Sequence, residues 1–205
     1  MPDELAPKLL HRFWSNEGYT LFPDVLHLLR SLHDHSKIRK DQLVVGVISN
    51  SDHRVPDVLG SLGVRVSPLI YGQPSTKNQQ KGEEYDIDFT LMSYDVGHEK
   101  PDKRIFAAAE EMLVQSFGAS RTDGEAAPNI DEWDKIYVGD EYKSDVVGAV
   151  DAGWKAVLID RDNPGQQTGV EWLQTAGDEA GSDTTAKAVG FSSLAEFDKW
   201  QSRQP

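Results

Sequence analysis

The chain has 205 residues, enough for one domain with a sizeable core. Its formal net charge of -13 speaks against nucleic-acid and anionic-membrane partners, and the absence of cysteine excludes disulfides, thiol chemistry and thiolate metal sites. The opening "MPDELAPKLLHRFW" holds no apolar signal core and no run is long enough to span a bilayer, so an intracellular protein, in cytoplasm or nucleus, is expected.

In chain order, "PDVLHLLRSL" (23–32) places Val25, Leu26, Leu28, Leu29 and Leu32 on one helical face, with Pro23 suited to the first turn. "LVVGVIS" (43–49) is a short continuous apolar run of the kind a buried parallel strand shows. "RVPDVLGSLGV" (54–64) reads as a helix closed by Gly63. "FTLMSY" (89–94) reads as a strand, and "PDKRIFAAAEEMLVQSF" (101–117) as a helix opened by a proline. "KIYVGD" (135–140) is the next strand, followed by a helix from about Ser144 to Ala152 and a strand at "KAVLID" (155–160). Near the C-terminus, Ser193 and Glu196 stand at capping-box spacing.

Strand–helix alternation predicts an open, mostly parallel α/β sheet. The polar stretches 73–86, 118–132 and 162–188 read as surface insertions, so residues 1–205 are taken as a single domain.

Open α/β sheets bind ligands beyond the carboxyl ends of their strands. After "LVVGVI" come Ser49 and Asn50, whose hydroxyl and backbone N–H groups suit phosphate oxygens. "GHEKPD" presents Lys100 before a helix, where an ammonium could neutralise a phosphoryl group and a nearby carboxylate. After "KIYV" come Gly139 and Asp140, with Asp145 five residues later, and such carboxylates can hold Mg²⁺ together with waters and phosphate oxygens. Singly, each set is also ordinary turn or helix-entry sequence; their order and spacing together point to phosphoryl chemistry. His33 and His35 read as a solvated helix end rather than a metal site. His98 and Glu99 flank Lys100 as lesser candidates, and Trp14, Trp133, Trp154, Trp172 and Trp200 are scattered as core or anchoring residues.

The stretches "VVGVISNSDHRVPDVLGSLGV", "SYDVGHEKPDKRIF" and "IYVGDEYKSDVVGAVDAGWKAVLIDR" resemble motifs two, three and four of the haloacid-dehalogenase-like (HAD) superfamily. Within it they are most similar to the group called haloacid dehalogenase-like hydrolase domain-containing protein 3. The resemblance runs from about residue 13 to the C-terminus. It implies a Rossmann-like core in which residues 1–22 are the remnant of the exit from a helical cap. It also implies that Ser49 binds the phosphoryl group and that Lys100 stabilises the nucleophile and the transferring group. Asp140 would ligate Mg²⁺ directly and Asp145 would support the metal. The family chemistry is hydrolysis of small phosphorylated metabolites, with some dehalogenases among its members.

The family's first motif, an apolar strand ending in Asp-x-Asp-x-[Thr/Val], has no counterpart in "MPDELAPKLLHRFWSNEGY". "YDIDFT" (85–90) has the letters, but a solvated loop precedes Asp86 and the apolar run follows Asp88, so the carboxylates enter a strand instead of leaving one. The nucleophilic Asp is therefore missing, and weak or no activity is expected. The alternative is a catalytically dead module that binds a phosphorylated ligand or a protein. Without the first strand, the runs at 43–49 and 135–139 lose their shared neighbour, so either the chain is part of a longer product or its sheet is repaired, by its own residues or by a partner.

Overall fold

The computed structural model describes residues 4–39, 43–73, 84–117, 129–163 and 188–203. The chain divides into two compact units, Met1–Gly97 and His98–Pro205.

The first unit begins with α1 (Leu5–Phe13), which periodicity does not single out and which buries none of its residues. Helix α2 (Val25–Arg39) starts two residues after Pro23. It packs Leu29, with Val25 and Leu26, against Val64, Ile87, Val45, Val47, Leu59 and Val66. This is the apolar face expected of "PDVLHLLRSL", and Leu28 and Leu29 are its most buried members. Strand β1 (Gly46–Ser49) lies parallel to β2 (Phe89–Met92), in register from Gly46 opposite Phe89 to Ser49 opposite Met92. The Phe89 ring covers the backbone of Gly46 so closely that a Cβ there would lie 2.1 Å from it. Between the strands, α3 (Val55–Ser61) carries a proline in its first turn and is followed by Gly63 in the left-handed region. The strand expected at 89–94 stops at Met92, where the chain turns into the short helix α4 (Ser93–Val96).

The second unit contains α5 (Lys103–Phe117), a 3₁₀ turn (Ile130–Glu132), β3 (Ile136–Gly139), a π-helical turn (Tyr142–Val147), α6 (Gly148–Asp151), β4 (Lys155–Ile159), β5 (Ala188–Phe191) and α7 (Leu194–Gln201). The single helix expected from Ser144 to Ala152 is thus a π turn leading into an α turn, an arrangement frequent at functional sites. Strands β3, β4 and β5 form a parallel sheet in that order. Ile105, Phe106 and Ala109 on α5, Val146 and Ala149 on the turn and α6, and Ala156 to Ile159 on β4 are buried. Phe106 sets its edge against the rings of Tyr137 and Trp154, at centroid distances of 5.4 and 5.5 Å. Ser193 caps α7 by accepting from the Glu196 N–H, and the Glu196 carboxylate accepts in turn from the Ser192 N–H and hydroxyl.

The parallel α/β architecture is the one the alternation predicts, and it is consistent with the Rossmann-like core that the resemblance implies. Among the described residues β1 pairs with β2 alone and β3 with β4 alone, so each of the runs at 43–49 and 135–139 is paired on one side. The expected insertions 73–86, 118–132 and 162–188 lie largely outside the described residues. Their described parts include the buried Asp86 and Ile130, so the junctions with the core are packed.

Candidate active site

Strand β3 ends at Gly139, and the chain turns there because Asp145 folds back over it. Asp145 Oδ2 accepts hydrogen bonds from the backbone N–H groups of Asp140 (3.0 Å) and Glu141 (2.9 Å). Its own N–H donates to the Glu141 carbonyl (2.8 Å). The other carboxylate oxygen, Oδ1, receives Lys100 Nζ at 2.6 Å. Lys100 Nζ also donates to the Tyr137 hydroxyl at 2.6 Å and lies 5.0 Å from the centroid of that ring. Lys100 and Asp145 keep only 10% and 5% of their side chains exposed, so this ion pair is shielded from water.

Lys100 is presented by the loop before α5, whose Lys100–Pro101 peptide is cis. The backbone of Gly148, in the first turn of α6, approaches this loop closely, and a Cβ on it would lie 2.9 Å from Pro101 Cα. Burial, reinforced by the negative charges of Asp145 and Asp140, pushes the Tyr137 phenol far above its ordinary value. It is a neutral hydroxyl, hydrogen-bonded to Asp145 as well as to Lys100.

Asp140 stands exposed just beyond the strand. Both oxygens of Asp145 are already engaged, so its visible work is to shape the 139–141 turn and to hold the ammonium. That leaves Asp140, with Glu141 beside it, as an exposed carboxylate just beyond the strand. The donor set fits a Mg²⁺ ion that takes one carboxylate and completes its shell with waters and phosphate oxygens. Among the described residues no three acidic or histidine side chains converge to hold a metal by themselves. His98 is half-buried and Glu99 exposed on the same loop as Lys100.

The other expected phosphate contacts belong to the first unit. Ser49 is the last residue of β1, half-buried, and Asn50 follows it, exposed. Just beyond, the Ser51 carbonyl accepts from the Tyr94 N–H (3.1 Å) and the Ser93 hydroxyl (3.3 Å), which ties together the carboxyl ends of β1 and β2. Asp52 accepts from the backbone N–H and the guanidinium of Arg54, and this holds its carboxyl down at about 2. The His53 ring lies between those of Trp14 and Tyr94. Lys100, Asp140 and Asp145 thus share one loop cluster in the second unit, and Ser49 and Asn50 share a strand end in the first. His33 on α2 is half-buried, while the His35 side chain and Trp172 lie outside the described residues.

The carboxylates of "DIDFT" are structural. Asp86 accepts from the Arg65 backbone N–H (2.8 Å) and its guanidinium (2.7 and 3.1 Å). Asp88 accepts from the Val45 N–H (2.8 Å) while its own N–H donates to the Val45 carbonyl (2.7 Å). Both sit at the amino end of β2, opposite the end at which Ser49 leaves the parallel β1. Tyr137 was the residue sequence reasoning missed. Its signal was a hydroxyl inside an otherwise apolar strand, "KIYVG".

A protein-family profile described as HAD-hydrolase-like matches residues 98–183, the stretch that holds Lys100, Asp140 and Asp145. The chain is 27% identical to the uncharacterized protein YMR130W of Saccharomyces cerevisiae over 168 residues, 80% of this chain and 46% of that protein. It is 28% identical to an uncharacterized hydrolase of Schizosaccharomyces pombe, C7D4.05, over 160 residues, 78% of this chain and 56% of the hydrolase. The chain therefore spans about half the length of the curated relatives it matches. Among solved structures, a HAD phosphatase from Thermococcus onnurineus shares the fold at a TM-score of 0.53 and 22% identity, across 97% of this chain and 65% of that one.

Proposed function

As a member of the haloacid-dehalogenase-like hydrolase superfamily, this chain is, we propose, the core of an enzyme for Mg²⁺-dependent hydrolysis of a small phosphate ester. We group it with the haloacid dehalogenase-like hydrolase domain-containing protein 3 relatives on its three motifs. The observation that carries the reading is the Lys100–Asp145 pair, buried and hydrogen-bonded to the turn that displays Asp140. In that arrangement Lys100 would offset charge on the transferring phosphoryl group, Asp145 fixes the lysine and the turn, and Asp140 would hold the cation. In the first unit, taken by itself, Ser49 and the N–H groups around Asn50 are suited to phosphate oxygens. Bound Mg²⁺ would supply Lewis-acid polarisation of the phosphoryl oxygens.

The attacking carboxylate is not among these residues. Asp86 and Asp88 are committed to Arg65 and Val45, and the neutral Tyr137 cannot replace it. The 205-residue chain by itself therefore hydrolyses phosphate esters weakly or not at all. The test is a p-nitrophenyl phosphate assay with and without Mg²⁺. No metal-dependent turnover is expected, and turnover abolished by Asp140→Asn would overturn the assignment of inactivity. A second reading, a dead module that binds a phosphorylated ligand or a protein, draws on the same intact lysine–aspartate pair. Titration calorimetry with orthophosphate and Mg²⁺ tests it, and wild-type binding that Asp140→Asn abolishes is the expected result.

A further inference from the structure

Tyr137 has no role in the motif reading, yet its hydroxyl is the second acceptor of the lysine at the centre of the site. A strand residue here needs only an apolar body. The ring supplies it, half-buried and edge to face with Phe106 at 5.4 Å. Phenylalanine would fill that space equally well, so the packing leaves the oxygen unexplained. A buried hydroxyl without partners would cost stability. This one has partners on both sides: it accepts from Lys100 Nζ at 2.6 Å and is hydrogen-bonded to Asp145.

We propose that Tyr137 is a positioning residue for Lys100: its hydroxyl holds the ammonium against Asp145 Oδ1, so that a single orientation of a four-carbon side chain is presented at the end of β3. A lysine stem is flexible, and one carboxylate contact leaves Nζ free to swing about that oxygen. A second hydrogen bond, to the Tyr137 hydroxyl at 2.6 Å, removes that freedom. The consequence for phosphate affinity rests on the functional reading above, whereas the positioning itself does not.

Tyr137→Phe tests it, since it keeps the ring and its contact with Phe106 and deletes the oxygen alone. The readout is the Lys100 Cε–Hε signal in protein carrying ¹³C-labelled lysine, assigned with Lys100→Arg. In wild type the fixed position of this nearly buried ammonium between Tyr137 and Asp145 shifts the signal away from solvated lysines. In Tyr137→Phe it should move toward them while the amide spectrum stays folded. An unchanged signal would overturn the proposal, because Asp145 alone would then suffice. In parallel, orthophosphate affinity in the presence of Mg²⁺ should fall about tenfold in the variant, as expected for one hydrogen bond to a charged group. If wild type binds no orthophosphate, the phosphoryl reading of the site fails, and the lysine signal still decides the role of Tyr137.

Discussion

The side chain that Gly139 lacks is the space that the Asp145 carboxylate occupies. A Cβ on Gly139 would lie 2.3 Å from Asp145 Oδ2 and 2.4 Å from its Cγ, closer than any relaxed contact. Gly139 therefore serves as clearance for the carboxylate that caps the turn through the Asp140 and Glu141 N–H groups. Gly139→Ala should force Asp145 out, break both bonds and unseat Lys100. The expected loss is about 3 kcal/mol, at the upper end for overpacking because buried hydrogen bonds go with it. Urea unfolding of the variant against wild type measures it, and a loss below about 1 kcal/mol would show that the turn can accommodate the methyl group.

Lys100 and Asp145 form an ion pair with almost no exposure, so removing one partner strands the other charge in low dielectric. Lys100→Met should cost about 3 kcal/mol, since Asp145 keeps its two backbone donors but loses its counter-ion. Asp145→Asn should cost more. Its amide must turn an N–H₂ toward either the ammonium or the backbone donors, and both choices oppose donor to donor. Thermal unfolding that ranks wild type above Lys100→Met above Asp145→Asn is the expected order, and a reversal of the two variants would refute this account of the turn.

Two residues apart, Asp86 and Asp88 should respond to acid with opposite signs. The Arg65 guanidinium and N–H hold the Asp86 carboxyl below its ordinary 3.8. The stability it contributes is therefore present above pH 3.8 and disappears as the pH falls through its lower folded value. Burial pushes the Asp88 carboxyl above 3.8, against the lowering effect of the Val45 N–H. Its effect is most favourable below pH 3.8 and is lost as the pH rises through its raised folded value. Asp86→Ala should thus cost about 2 kcal/mol at pH 7, moderated by the half-exposed Arg65, with the deficit shrinking in strong acid. Asp88→Asn keeps an oxygen for Val45 and should stabilise at pH 7, with the gain vanishing below about pH 4. Unfolding midpoints of both variants from pH 3 to 7 would expose parallel trends, which this explanation forbids.

Much of this was legible in the sequence because it depends on period and order. The apolar runs gave the strands at 46–49, 136–139 and 155–159, and the leucine face of α2 is where its spacing puts it. The reversed polarity of "DIDFT" was readable too, since whether an acid precedes or follows an apolar run does not depend on tertiary contacts. What was hidden is whatever depends on contact across the chain. The partnership of Tyr137 with Lys100 joins positions 37 residues apart. The end of β2 at Met92 follows from the bonds of Ser93 and Tyr94 to Ser51, since "SY" by itself continues a strand pattern. Helix α1 escaped notice because its apolar residues remain exposed, from 40% at Leu5 to 61% at Leu10, so burial did not select them.

Strand β3 carries the last prediction. Among the described residues it is paired only with β4, and Ile136 and Val138, on alternate positions, remain 46% and 36% exposed. An apolar strand at the end of the described sheet order, with a sticky exposed face, is a template for adding another strand. Natural edges are guarded by charge, and this one has none between Lys135 and Asp140. The chain should therefore self-associate at micromolar concentration, and Ile136→Lys should reduce that association. Because Ile136 is about half exposed and sits opposite Lys155 rather than in the core, the same change should shift stability by no more than about 0.5 kcal/mol. Light scattering of wild type and variant at matched concentration decides the point. Equal scattering from both would mean that the β3 edge is not the surface through which chains meet.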